Sequence, residues 1–398
     1  MSNKVIKQET KKNDPAKSLK AKIGSLVLTA LAAVAFVAVI YYANLDRPVY
    51  HSSDTTGIEY EVGLVKQIIN DNTTVDKTDK NILRGSMDLK IEIISGRYKG
   101  DIVNVTNLFS SLYNIKVKQG DKVSVRIDTS GKNKYQVSIY NYYRVPQLVI
   151  CVMVFVVMLM LIGGKKGAKS VFALVFTLVC IIWILLPLTL KGYPALPITI
   201  AIVLVSNIVT FFLIDGISVK SVVAAAGSLS GVLAGAAFSI IFQTMMSVTT
   251  YQTDEAETLM LIMGSTNLHM KDLLLCGILI ACTGAVMDVS MSITSSIAEL
   301  KSVNPSMKAK ELFMSGMNIG RDAMGTMSNT LILAFAGNSL NMMLMIYSYG
   351  VSFQQLMNTN FVAVEIIRGI AGSVGIICTV PLVAFIAANV YAREGRVY

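Results

Sequence analysis

Charge is scarce in this sequence: Asp, Glu, Lys and Arg make up 15% of 398 residues, against 53% hydrophobic ones. Soluble domains keep about a quarter of their residues charged. That balance excludes a chain dissolved through its own surface and makes the lipid bilayer its main solvent. Histidine occurs twice, at His51 and His269. There is no His-Glu-x-x-His pair, no Gly-x-Ser-x-Gly elbow and no Walker glycine loop, so zinc, serine and nucleotide chemistry have no starting point and no enzyme is expected. The five cysteines, Cys151, Cys180, Cys276, Cys282 and Cys378, all lie in apolar runs. The polar part of the chain therefore has no disulfide framework and no thiolate metal site, and neither metal nor cofactor is expected. A net charge of +10 would point to nucleic acid in a soluble protein. Here the basic residues sit in short segments between apolar runs, where they set topology, and no nucleic-acid partner is expected.

Long apolar runs are what the chain has in quantity. Residues 1–22 form a basic tail with seven lysines, and 23–43 run apolar for long enough to span a bilayer as an uncleaved anchor. Over 44–144 the period changes to two: Met87, Leu89, Ile91 and Ile93 alternate with Asp88, Lys90 and Glu92, and Val123, Val125 and Ile127 with Lys122, Ser124 and Arg126. Such runs are half-buried strands, with further strands expected at Val62 to Ile69 and Tyr135 to Tyr140, and five or six of them predict a small OB-like barrel. Apolar spans resume over 145–390, at about Val145 to Ile162, Ser170 to Leu190, Pro194 to Ile214, Val219 to Met246, Leu273 to Ala298, Met324 to Tyr349 and Val362 to Val390, before a short tail at 391–398. The expected fold class is a polytopic α-helical membrane protein with about eight transmembrane helices and a small extracytoplasmic all-β domain inserted after the first helix. Lys165, Lys166, Lys169, Lys220, Lys301, Lys308, Lys310, Arg321, Arg393 and Arg396 all fall on the side of the lysine-rich tail. This places both termini in the cytoplasm and the β domain outside.

Within the spans, Gly227, Gly231 and Gly235 form one small-residue ridge and Gly369, Gly372 and Gly375 another, which is the pattern of close helix packing. On the sixth span Gly277, Ala281, Gly284, Asp288, Ser292, Ser295 and Glu299 recur at steps of three and four and share a polar, tight stripe. An ionised carboxylate at that depth costs about 2.5–3.5 kcal/mol unless paired or hydrated. Asp288 is therefore either hydrogen-bonded to a neighbour such as Arg321 or part of a site that binds or relays something. The segment Gly316 to Thr330 opens the next span, with Asp322, Thr326 and Asn329 on one face, while Gly337, Asn338 and Asn341 predict a broken helix lining a cavity. A plainer account makes Arg321 and Asp322 a cap at the inner interface. Glu365 and Arg368, three apart, are placed to pair near the outer end of the last span. Asp288 and Asp322 suggest the two-aspartate logic of intramembrane proteases, but Arg321 stands where the Gly-x-Gly-Asp signature needs glycine.

The runs Gly284-Ala-Val-Met-Asp288-Val-Ser-Met-Ser292 and Ile319-Gly-Arg-Asp322-Ala-Met-Gly-Thr-Met-Ser-Asn-Thr-Leu331 resemble the two most distinctive motifs of the bacterial YibE/F family. The Ser-Gly-x-x-Lys-Gly turn at Ser95 to Gly100, Tyr143-Arg-Val-Pro146, and Glu365-Ile-Ile-Arg368 with Gly369 and Gly372 extend the resemblance over Glu59 to Ala388; the tail before Ser25 lies beyond it. It implies a multispanning protein of the bacterial plasma membrane and an architecture rather than an activity. Two functions fit. One is a secondary transporter or permease for a small solute or ion, with a path along Asp288, Arg321, Asp322 and Asn329. The other is an accessory protein that forms homo-oligomers or joins a partner membrane protein through its glycine ridges and docks a cell-envelope partner with its outer domain. The expected topology is open to test in intact cells: an impermeant thiol reagent should label a cysteine placed at Lys132 and spare one at Lys308, and the reverse pattern would invert it.

Overall fold

The computed structural model describes residues 31–48 and 57–394, apart from Leu112, 131–134, Asp254 and Ser265. The basic tail, the start of the anchor, His51 and Arg396 lie outside the described residues. Two compact units divide the rest: one within Tyr50–Gly164, the other formed by the segment before residue 50 with Lys165–Tyr398.

The first unit contains β1 (Ile58–Asp71), β2 (Thr74–Val75), β3 (Leu83–Ile93), β4 (Ile102–Phe109), β5 (Lys122–Asp128) and β6 (Gln136–Tyr142). All pairings are antiparallel, in the order β2-β3-β1-β5-β6, with β4 on the free side of β3. The period-two pattern explains the core, because Met87, Leu89, Ile91, Ile93, Val123, Val125 and Ile127 are all buried against Val65, Val105 and Phe109. Gly63 on β1 lets the sheet curl: a Cβ there would fall 2.6 Å from Ile91 Cγ2 and 2.9 Å from Val125 Cγ1. The expected closed barrel is an open half-barrel. No backbone ladder joins β4 to β6 among the described residues. Tyr98 and Tyr135 stack at 4.3 Å between centroids and the Tyr135 hydroxyl donates to Asp101, so side chains bridge the gap that the ladder leaves.

Helix α1 (Leu31–Asn44) precedes the sheet. After it come α2 (Val145–Cys180), a π-helical turn (Ile181–Leu185), α3 (Leu186–Leu190), α4 (Ala195–Asp215), α5 (Val219–Met245), α6 (Ala256–Met263), α7 (Leu273–Val303), α8 (Ala309–Asn338), α9 (Leu340–Ser348), α10 (Phe353–Met357) and α11 (Asn360–Glu394). The fold is mostly helical, and five stretches are long and apolar enough to cross a membrane, with the bent pair α8–α9 a sixth. Val145–Leu190 holds 46 residues, which at about 1.5 Å per residue is more than twice the ~30 Å hydrocarbon core. Its break is Gly164, at φ 54° and ψ −134°, a conformation that only glycine adopts without strain. Pro187 interrupts the same run further on. Lacking an N–H, it gives nothing to the Trp183 carbonyl four residues back, and Asn44 of α1 donates to that oxygen at 2.9 Å instead. Phe36 stacked on Phe176 at 4.9 Å and the Tyr42–Tyr193 hydroxyl pair at 2.7 Å fasten α1 along this segment.

Helix α8 departs from one expectation and meets another. It begins at Ala309, so Asp322 stands well inside a helix and is not an N-terminal cap. The break expected over Gly337, Asn338 and Asn341 is present at Ser339, where α8 and α9 bend by 58°.

The isolated segment 50–143 should give a disulfide-free, β-dominated circular dichroism spectrum; coil or helix would remove the half-barrel as a self-sufficient unit. The hydrogen bond from Arg84, with two backbone N–H groups, lowers the Asp76 carboxyl from 3.8 to about 2. Because the folded value is the depressed one, its stabilisation is present above about pH 4 and lost as the pH falls toward 2. Urea titrations should show that slope in the wild-type segment and a shallower one in Asp76→Asn.

Candidate functional site

Helix α7 buries Leu275, Leu279, Cys282, Val286, Val289, Ile293 and Ile297 in the helical core, which turns its opposite face outward. That face is the stripe read from the sequence. Gly277, Ala281, Gly284, Asp288, Ser292 and Glu299 are exposed and Ser295 is half-buried. The stripe is polar but not tight, since a Cβ at Gly277 or Gly284 would meet nothing within 4 Å.

Between this face, the second half of α2 and α4 lies a cleft of about 470 Å³ with Asp288 on its wall. Its polar lining is Ser170, Thr177, Ser206, Thr210, Thr283 and Asp288, and it holds no Lys, Arg or His. Thr177 and Thr283 donate to their own helices, to the Ala173 and Leu279 carbonyls at 3.0 and 2.6 Å. Their protons are committed, and the oxygen lone pairs are left to accept. Ser206 Oγ is buried with no oxygen or nitrogen partner among the described residues, the Cys180 thiol lying beside it. The π-helical turn adds Ile181 to the same wall, and such turns are frequent at functional sites. The cleft thus offers one carboxylate and a ring of hydroxyl oxygens, a set of acceptors suited to a cation.

Asp288 and Arg321 form no ion pair, so the single unit expected of Asp288, Arg321 and Asp322 is not built by direct contact. Arg321 donates to Asn318 Oδ1 at 3.4 Å, and with Asp322, Thr326 and Asn329 it is exposed on α8. Thr326 bonds the Ala323 carbonyl of its own helix at 3.0 Å. Glu365 and Arg368 pair at 2.7 Å on α11, and Ser339 donates to the other Glu365 oxygen at 2.7 Å. This ion pair therefore secures the bend between α8 and α9, beside the exposed Asn338. Thr177, Ser206, Thr210 and Thr283 escape a reading of single spans; the four-residue spacing of Ser206 and Thr210 is the one signal they carry.

Two family descriptions match the chain. The YibE/F family N-terminal domain covers residues 57–142, the half-barrel, and YibE/F-like protein covers 151–393, including every helix of the cleft. The chain belongs to the YibE/F family. No curated protein and no solved structure matches it. The motifs that carry the family resemblance have structural roles as well. Ser95 of the turn donates to the Glu61 carboxylate and accepts from the Val62 N–H at 2.8 Å, closing the end of β3 onto β1. Arg144, ahead of Pro146 in the first turn of α2, lies 5.5 Å over the Tyr142 ring.

The glycines of the family's helical part divide by use. Gly227, Gly231 and Gly235 of α5 meet α11: a Cβ at Gly235 would fall 3.0 Å from the Ala371 carbonyl and 3.2 Å from Gly375 Cα, and one at Gly231 would strike Thr379. Gly372 faces Leu331 of α8, whereas Gly369 has only Ile332 at 4.0 Å. Gly316 and Gly320, read from the sequence as part of a polar stretch, pack against Ile297 with Ala384, and against Ile293 with Val380. Gly235→Val should therefore destabilise the protein by about 1–3 kcal/mol or more, because backbone lies in the way, and Gly277→Ala should leave it unchanged. Thermal unfolding in one detergent compares them; equal melting temperatures would sink the assignment.

Proposed function

We propose that this YibE/F protein is a secondary transporter or permease of the bacterial plasma membrane that passes a small monovalent inorganic cation along the Asp288 cleft. The observation that carries the reading is a carboxylate without an ion-pair partner on the wall of an open cleft that holds no Lys, Arg or His and whose other polar groups are hydroxyls. A lone charge of this kind within a span costs about 2.5–3.5 kcal/mol, a cost that a purely structural residue would avoid by pairing. Eight spans follow if Gly164 separates two, α8–α9 is one and α1 is one. With an even number, the basic loops put both termini in the cytoplasm and the OB-like half-barrel outside. A second reading, an accessory protein docking an envelope partner, draws on the apolar surface of the half-barrel, where Leu108 is 70% exposed and Tyr60 and Tyr140 meet edge to face at 4.8 Å.

Purified protein in proteoliposomes should dissipate an imposed gradient of H⁺, Na⁺ or K⁺. Asp288→Asn, which keeps the size and much of the hydrogen bonding, should lose that flux at least about tenfold with its melting temperature nearly unchanged. Equal flux in the two proteins, or none above empty liposomes with any of the three ions, would overturn the proposal.

A further inference from the structure

Helix α8 packs on one side only. Leu312, Gly316 and Gly320 are buried against α7 and α11, while Arg321, Asp322, Gly325, Thr326 and Asn329 are exposed. Their depth can be read from α11, which carries no charged residue between Arg368 and Arg393. Val380, close to the middle of that stretch, is the residue that Gly320 packs against. Arg321 and Asp322, next in the chain, therefore stand near the level at which a bilayer is most apolar, and Arg321 is not one of the loop residues that set topology.

Neither charge is neutralised within the described part of the chain. Arg321 reaches only Asn318, at 3.4 Å, and neither residue has an ion-pair partner among the described residues. Adjacent on one helix, the two side chains point to different sides of its outward face and serve each other poorly. Lipid offers nothing to either. The remaining apolar helix, Val145–Gly164, has no charged residue to offer.

We infer that this face of α8 seats a second copy of the same chain. An adjacent cation and anion form a self-complementary surface: across a two-fold axis, Arg321 of each copy meets Asp322 of the other, so that one contact type, made twice, compensates all four charges. Gly325, one turn beyond Asp322 and with no atom within 4 Å of an added Cβ, lets the two α8 backbones approach closely. Asn318 and Asn329, above and below the pair, add hydrogen bonds along the same seam. A hydrated path along α8 would also satisfy charges, but it would not require the two signs side by side. The inference does not depend on the reading of the Asp288 cleft.

The full-length protein in nanodiscs should have the mass of a dimer. In a background without the five native cysteines, Gly325→Cys should form an intermolecular disulfide in membranes, while Ile241→Cys, on the exposed side of α5, should not. Asp322→Arg places like charges across the axis and should lower the dimer fraction about tenfold or more. Exchanging the pair, Arg321→Asp with Asp322→Arg, should restore it. A wild-type monomer, a dimer that survives Asp322→Arg, equal disulfide formation at positions 325 and 241, or loss of the dimer that the exchanged pair does not restore would each overturn the proposal. A monomer that dimerises only with another membrane protein present would assign the face to that partner instead.

Discussion

The helical unit is organised by the approach of α5 to α11. Gly231 and Gly235 bring the two backbones close enough that carbonyl oxygens of Ala371 and Gly375 lie where side chains would otherwise stand. Van der Waals contact between smooth surfaces is the force available to helices in lipid, where no hydrophobic gain separates one apolar neighbour from another. Hydroxyls tighten the same region from within. Ser290 of α7 donates to the Ala224 carbonyl of α5 at 2.6 Å, and Asn207 of α4 to Ser228 of α5 at 3.0 Å. With α5 and α11 joined, α7 and α8 are packed against α11, and α4 against α5.

That arrangement decides where polar groups are left over. Helices α4, α5, α7, α8 and α11 each bury one face in a common core, so residues opposite that face look outward. Asp288 and the Arg321–Asp322 pair are both in this position, yet their surroundings differ. The Asp288 face opens onto a cleft lined by hydroxyls and one carboxylate, with no Lys, Arg or His, which suits a cation. The α8 face is bare and carries both signs, which suits a copy of itself. Two polar patches in one membrane unit thus lead to different chemistry, because one is concave and of a single sign while the other is convex and self-complementary.

Helix irregularities serve the same end. Three irregularities interrupt these helices, the π-helical turn before Pro187, Gly164 and the bend at Ser339, and in two of the three a side chain from another helix is present: Asn44 at the Trp183 carbonyl, and Glu365 at the Ser339 hydroxyl. The third needs no partner of this kind, since glycine takes the conformation without strain.

Much of this was legible in the residues alone. A stretch of about 20 apolar residues has few ways to be soluble, and strict alternation has few ways to be anything but a half-buried strand, so the apolar helices and the buried faces of β3 and β5 followed from local pattern. The stripe on α7 followed from its spacing, and the family from its motifs. What local pattern does not contain is which surface meets which. Whether Gly316 and Gly320 loosen a polar segment or receive Ile293 and Val380 depends on the position of α11. Whether Asp288 meets Arg321 or a ring of hydroxyls from α2 and α4 depends on how far each helix is turned about its axis. The half-barrel stays open because its last two edges are brought together by Tyr98, Tyr135 and Asp101 rather than by a ladder. In each case the deciding contact joins residues far apart in the chain, and periodicity along one helix or strand determines which face is apolar without saying what will cover the other.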